Sequence, residues 1–457
     1  MRNSLATILA TGLLTTSCSF IPALDPINSP VSGKFPGKTG GEVPGDIAWQ
    51  KFFTDPRLKK LVQAALENNR DLRIAALNVE QARAQYGISR SDLFPTIYAG
   101  ASTERRRSVN ADGGGGSASG NYDVSVGLSS YELDLFGRVR SLNRSALESY
   151  FGSDAARVGA QISLVAQIAN QYLAERALHE QVALSEQSLE GFNSAYDIVK
   201  QRFDAGAISE LDLSSIEVQR QTAKADLAAF RQRIQEVNNS LTFLCGGSLP
   251  ANLPAGRSLD EILVANVRAG VPSELLFRRP DIREAEHQLR AANANIGAAR
   301  AAFFPSITLT TNVGAASNSL SNLFSNGTAT WLFSPAINVP IFDGGRNKAN
   351  LDVAEIRKEI EIANYEKSIQ TGFREVADSL ASRTGLDEQI SATQSLVKAQ
   401  QKRADLSKAR YTQGVDSYFE VLTATLDYYT AQQSLIRLRL ARNINSVGLY
   451  KALGGGW

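Results

Sequence analysis

Histidine and cysteine are almost missing from this chain. Of its 457 residues only His179, His287, Cys18 and Cys245 offer an imidazole or a thiol, too few for a Cys/His zinc cluster or a disulfide framework. Neither histidine lies in a catalytic motif and no activated nucleophile stands out among the scattered carboxylates, so no enzyme, no metal site and no cofactor is expected. Neither sign of charge is in excess: 48 Lys+Arg against 46 Asp+Glu leaves +2, which argues against an electrostatic nucleic-acid binder. Long hydrophobic runs are missing too. No stretch reaches the roughly 18 apolar residues of a transmembrane helix, so a chain like this crosses a bilayer by strands or not at all.

Proline is absent from two long stretches. All 14 prolines lie at or before Pro95 or between Pro250 and Pro340, which leaves 96–249 and 341–457 open to uninterrupted helices.

What is present begins with an address. Met1-Arg2-Asn3 is a short positive start, Leu5–Leu14 a mostly apolar run, and Thr15-Thr16-Ser17-Cys18 a small-residue junction; together they read as a secretory signal over 1–17. A cysteine at such a junction resembles a lipobox, which implies that Cys18 is lipidated. Here Leu14 sits four residues before the cysteine, with Thr15 where relatives usually carry Leu. Residues 19–48, with Pro22, Pro26, Pro30, Pro36 and Pro44, read as an extended tether. Cys245, in Leu241-Thr-Phe-Leu-Cys-Gly-Gly, reads as a small buried hydrophobe near a helix end.

The body of the chain is a duplication. Residues 71–97 align with 281–307 at a constant offset, with identities at Asp71/Asp281, Arg73/Arg283, Ala82/Ala292, Gly87/Gly297, Arg90/Arg300, Phe94/Phe304 and Pro95/Pro305. Further on, Leu135-Phe136-Gly137-Arg138 matches Ile341-Phe342-Asp343-Gly344-Gly345-Arg346, and Gly206 with Ser209 matches Gly414 with Ser417. The expected layout is an N-terminal tether at 18–56, a first repeat at 57–250 with strands at about 94–136, a linker at 251–270, and a second repeat at 271–457 with strands at about 304–342.

Within each repeat one path is expected. Val182, Leu189, Tyr196 and Phe203 recur by sevens, with Ser185, Phe192 and Val199 at the companion spacing, a heptad seam. The spans 138–203 and 346–411 are each roughly 100 Å long as helices, too long for a globular core to cover. Gly206 and Gly414 end them. Return helices at 209–246 and 417–453, added to short helices at 71–93 and 281–303, sum to nearly the length of a rod. Between short helix and rod lie strand-like runs. In one, Tyr122, Val124, Val126 and Leu128 alternate with Asp123, Ser125, Gly127 and Ser129, the lipid-out, water-in period of an outer-membrane strand. Four strands cannot close, and an open edge is not tolerated in hydrocarbon, so the chain must oligomerise; the arithmetic leaves dimer and trimer open.

The segment Asp46–Leu72, the two Phe-Pro strand starts, Leu135–Arg138, Ile341–Arg346 and the terminal Leu453-Gly-Gly-Gly-Trp457 resemble the outer-membrane factor (TolC-like) family, in particular its lipoprotein subgroup similar to OprM and NodT. The resemblance implies a mainly α protein with a membrane β-barrel. In it a homotrimer closes a twelve-stranded barrel in the outer membrane and continues as a twelve-helix α-barrel across the periplasm. It implies the exit channel of a tripartite efflux system, anchored by lipid at Cys18 and docked to a periplasmic adaptor and an inner-membrane pump of the resistance-nodulation-division type. The turns at Gly206 and Gly414 are then adaptor contacts, and Gly137, Gly344 and Gly345 are strand-to-helix bends. Phe419 and Glu420 narrow the periplasmic end of the pore, with Thr423 where relatives often have Asp. A lipid-anchored periplasmic coiled-coil scaffold or adhesin, and the exit duct of a type I secretion system, are the rival readings.

Overall fold

The computed structural model describes residues 19–26, 30–32, 48–107, 118–262 and 278–455. The expected signal, Cys18, most of the tether, the end of the linker and Trp457 lie outside them. Helices α1 (Trp49–Phe52), α2 (Pro56–Asn68) and α3 (Arg70–Ser91) lead into strands β1 (Ile97–Arg107) and β2 (Ala118–Glu132). The 67-residue α4 (Arg138–Asp204) and α5 (Glu210–Leu244) complete the first half. The second half repeats the order with α6 (Pro280–Ala301), β3 (Ser306–Ser317), β4 (Ala329–Asn338), the 67-residue α7 (Arg346–Thr412) and α8 (Tyr418–Ala452). The described residues are thus mainly helical with four strands. Among the described residues no helix is long and apolar enough to cross a membrane.

By packing, the chain divides into two units. The first holds residues 19–26, Asn78–Ser153 and Glu284–Tyr365, and the second holds the rest of the described chain.

The first unit contains one antiparallel sheet in the order β1-β2-β3-β4, so the two repeats join at the β2–β3 pair and β1 and β4 are its edges. Pairings Ala99↔Val126, Val126↔Val313 and Val313↔Trp331 run in one row across all four strands. The β2–β3 ladder slips between Leu128 and Tyr131, an extra residue on β2. Ser130 sits there at φ 52°, its amide donating to the Thr310 hydroxyl at 3.1 Å. This is a β-bulge, which bends the strand where it nears its helix.

The second unit has a conventional core at the start of the chain's body. Asp55 caps α2, accepting the Arg57 amide at 2.7 Å, with Pro56 at the first helical position where no N–H is needed. Its other oxygen takes the Tyr172 hydroxyl at 2.6 Å and the Arg257 amide at 3.0 Å. Phe52 and Phe53 are fully buried, and Phe52 stacks on Tyr450 with ring centres 4.2 Å apart. The last part of the segment expected to be tether is therefore packed helix, because its aromatic residues have a core to enter.

Along α4 the expected seam is present, with its two stripes unequally buried. Ser185, Phe192 and Val199 are the buried stripe, while Val182, Leu189, Tyr196 and Phe203 are half-buried beside it. Phe192 and Val199 form a cluster with Ile216, Ala223 and Leu422, on which Leu189, Tyr196 and Tyr418 pack. Ser185 tolerates burial because its hydroxyl meets that of Tyr429 at 2.7 Å. Cys245 lies at the end of α5, buried, its thiol donating to the Leu61 carbonyl at 3.7 Å.

Candidate functional site

The two faces of the sheet differ in kind. Register puts Ile97, Ala99 and Ala101 on one face with Tyr122, Val124, Val126 and Leu128, with Val313 and Ala315, and with Trp331, Phe333, Pro335 and Ile337. Trp331 is 77% and Val313 66% exposed, which is unfavourable in water and the expected state against lipid. The other face carries Gly100, Ser102, Asp123, Ser125, Asn312 and Thr310, and all three carboxylates of the strands, Glu104, Asp123 and Glu132. Both edge strands are exposed along their length.

Where strand turns to helix, Gly137 has φ 77°, and Gly344 and Gly345 have φ 64° and 87°. A side chain disfavours that region, so the bend needs glycine. On the first bend Arg138 binds Glu132 through Nε at 2.9 Å and Arg140 binds Asp134 through Nε at 3.0 Å. On the second, Asp343 takes the amides of Gly345 at 2.9 Å and Asn347 at 2.8 Å.

The chain just after Cys18 is also placed. Phe20 stacks on Phe304 with centres 4.7 Å apart, Phe304 stacks on Phe136 at 4.9 Å, and the Pro22 carbonyl accepts from Asn293 at 2.8 Å. Ile21 fills the space a Cβ on Gly297 would take, with its Cγ1 at 2.6 Å; the duplicate Gly87 faces open space.

At the turns that follow the long helices the two repeats share one motif. Gly206 has φ 67°, with its amide on the Phe203 carbonyl at 2.8 Å and the Ala207 amide on the Arg202 carbonyl at 2.8 Å. Gly414 has φ 74° with the matching bonds to Tyr411 at 2.9 Å and from Val415 to Arg410 at 3.0 Å. Both are Schellman ends. The next helix starts differ: Ser209 and Asp212 form a reciprocal capping box, whereas Ser417 makes no side-chain cap bond. The Glu420 carboxylate is therefore not used up at the helix start. It is exposed, and has no hydrogen bond or ion pair among the described residues. Phe419 beside it is 59% exposed. Thr423 is half-buried and turns its hydroxyl back to the Phe419 carbonyl at 2.9 Å.

Two contacts at these turns escaped the sequence reading. Arg410 grips Asp416 through two bonds of 2.6 and 2.9 Å, holding that carboxyl below the usual range. Arg202 donates to the Tyr411 hydroxyl. The signal for the first is an opposite charge pair flanking Gly414; the second joins different repeats and has none. Tyr418 lies edge-on to Tyr411 with ring centres 5.2 Å apart, and burial pushes its phenol up to about 12. An apolar groove of about 540 Å³ opens beside it, lined by Phe192, Ile198, Tyr411, Tyr418 and Leu422 among others. Among the described residues no His, Cys, Asp and Glu group is arranged to hold a metal ion.

A four-stranded sheet with an apolar exposed face, in a chain of two repeats that each carry a 67-residue helix, defines a class of outer-membrane channel protein. The sequence pattern of the outer membrane efflux protein family matches residues 61–247 and again 271–455. The chain is 44% identical to the toluene efflux pump outer membrane protein TtgC of Pseudomonas putida, covering 100% of this chain and 96% of that one. It is 38% identical to the probable outer membrane lipoprotein SilC of Salmonella typhimurium, over 90% of this chain and 88% of that one. The open state of the MtrE outer membrane channel of Neisseria gonorrhoeae superimposes with a TM-score of 0.90 at 41% identity, covering 96% of this chain and 98% of the other. The chain belongs to the outer membrane efflux protein family, whose members are transport proteins and not enzymes.

Proposed function

We propose that this protein is the outer-membrane exit channel of a tripartite efflux system, conducting drugs or other small molecules passively from an inner-membrane pump and a periplasmic adaptor to the outside. The observation that carries the reading is the sheet: one face apolar and exposed, the other polar, and both edges free. Free edges are not tolerated in hydrocarbon, so β4 of one chain pairs with β1 of the next. Three chains supply twelve strands and a lumen wide enough to conduct; trimer rather than dimer follows the family resemblance. The matched stretches support assigning the two repeats to 57–250 and 271–457.

Lipid at Cys18 fits the same picture. Phe20 is held against Phe304, next to the Pro305 that precedes β3, so an acyl chain on Cys18 would enter the leaflet nearest the helices. The turns at Gly206 and Gly414 are the adaptor contacts, and the pump is a proton-driven resistance-nodulation-division transporter. Threefold symmetry turns Phe419 and Glu420 into rings. With Thr423 bonded back to its own helix, Glu420 is the acidic group at that level.

The test is reconstitution. The purified protein is expected to run as a heat-modifiable trimer and to conduct ions in planar bilayers. Glu420→Lys is expected to lower cation preference and Phe419→Ala to raise conductance. A monomer in mild detergent, or bilayers that stay silent, would remove the channel reading; unchanged conductance in both variants removes only the gate.

A further inference from the structure

Resting on that channel reading, we propose that Arg105 and Arg107 form a lipid-facing phosphate site at the outer rim of the sheet, which takes the phosphorylated headgroup of an outer-leaflet lipid. β1 begins at Ile97, shortly after α3 ends at Ser91, and finishes at Arg107 where the chain leaves for β2. Its first residue therefore marks the helix side of the membrane and its last the outside.

Alternation then decides which way each arginine faces. Ile97, Ala99, Ala101, Thr103, Arg105 and Arg107 share one face, and the register continues that face into Leu128, Val126, Val124 and Tyr122 of β2. Read outward, the rows pass from apolar (Ala99, Val126, Val313, Trp331), through small apolar (Ala101, Val124, Ala315, Ala329), to polar (Thr103, Tyr122, Ser317), and then to arginine. From Ile97 to Arg105 and Arg107 is roughly 26 to 33 Å of strand, which a tilt of about 40° reduces to about 20 to 25 Å of height. That is the thickness of the apolar band. The guanidinium groups thus emerge at headgroup level on the lipid side, where a buried charge would be costly and a phosphate partner is at hand.

Charge distribution favours an anion. Arg106, on the opposite face, is paired with Glu104 at 3.1 Å. Arg105 and Arg107 have no carboxylate partner among the described residues, and every carboxylate of the strands is on the other face. Arg105 is also aimed: Nη2 donates to the Tyr122 hydroxyl at 3.0 Å, and its stem crosses Gly120, where an added Cβ would sit 3.7 Å from Arg105 Cγ.

The test counts lipids on the intact trimer. Full-length protein in mild detergent is equilibrated with lipid A carrying both phosphates, or with the same lipid dephosphorylated, and bound lipid is counted by native mass spectrometry. The phosphorylated lipid is expected to be retained preferentially, and the double variant R105S/R107S to lose about tenfold in its retention. Arg106→Ser is expected to leave the preference intact. Equal retention of both lipids by the wild type, or an undiminished preference in a double variant that still runs as a trimer, overturns the proposal. Inorganic phosphate alone giving an adduct that the double variant loses would assign the pair to a free anion and overturn the lipid source. Conductance separates the two readings: if the wild type is silent in bilayers while the arginine-dependent preference holds, the lipid site stands and the channel falls.

Discussion

Arg202 donates a hydrogen bond to the Tyr411 hydroxyl and lies 5.2 Å from the centre of its ring, tying the end of α4 to the end of α7. The tie exists because the repeats have diverged at two matched positions. Phe203 and Ile208 in the first correspond to Tyr411 and Asp416 in the second, counting from Gly206 and Gly414. Arg410 therefore finds an acid within its own turn, while its counterpart Arg202 does not and reaches the added hydroxyl of the other repeat.

Removing that hydroxyl isolates the tie. Tyr411→Phe keeps the ring against Tyr418 and leaves Arg202 without its acceptor. An exposed bond of this sort contributes no more than about 1 kcal/mol to stability, so the trimer's melting point is expected to hold. Single-channel conductance, or dye influx in cells carrying the variant, is expected to rise as the turns part more easily. Conductance and influx equal to wild type would detach this contact from opening.

The duplicated glycines at 87 and 297 make a paired test. Ala at 297 would push its Cβ into Ile21 and, at 2.7 Å, the Ser141 hydroxyl. Overpacking of that kind typically costs about 1 to 3 kcal/mol. Ala at 87 meets nothing and gains helix propensity, up to about 1 kcal/mol. Melting curves are expected to move in opposite directions, Gly297→Ala down and Gly87→Ala level or up. Proteolysis near Phe20 should quicken only in the first. Equal shifts would mean that the segment after Cys18 is not seated on α6.

This pair also shows where sequence reading stops. The alternation of Tyr122, Val124, Val126 and Leu128 is written in adjacent letters and identifies the apolar face of β2 by itself. The proline-free spans and the repeated glycines mark the long helices and their ends to within a residue or two. Yet Gly87 and Gly297 are the same letter in the same repeat position, and only the docking of a segment 276 residues away from Gly297 distinguishes them. The seam on α4 is legible in its spacing, but not in how deeply each of its stripes is buried. Two heptad stripes lie side by side, and which is buried depends on α5 and α8 packing at Phe192 and Val199. The bulge at Ser130 is set by the β2–β3 pairing between repeats, and no local turn residue announces it.

Asp55 offers a stability test in the buried interior of the second unit. It caps α2 and takes a buried phenol, so Asp55→Ala removes a cap worth about 0.5 to 2 kcal/mol and also leaves the Tyr172 hydroxyl and the Arg257 amide without an acceptor. Tyr172→Phe is expected to cost less, about 1 kcal/mol, because the carboxylate keeps two amide donors. Denaturant melts of both variants check the order. A Tyr172→Phe variant weaker than Asp55→Ala would show that the phenol, not the cap, dominates the site.

Cys245 links folding, pH and lipidation in one measurement. Burial pushes its thiol from 9.0 up to about 11, so the folded state disfavours the thiolate. The resulting contribution to stability is fully present below pH 9 and is lost as pH rises through about 11. At pH 8 the folded protein is expected to leave Cys245 unlabelled by a thiol reagent, since both burial and the scarcity of thiolate oppose attack. Unfolding in denaturant then exposes the thiol. If Cys18 carries its lipid as a thioether, the count rises from none to one per chain on unfolding, and Cys245→Ser abolishes the signal. Two thiols per unfolded chain would show that Cys18 is free, and rapid labelling of the folded protein at pH 8 would show that the end of α5 opens in the native state.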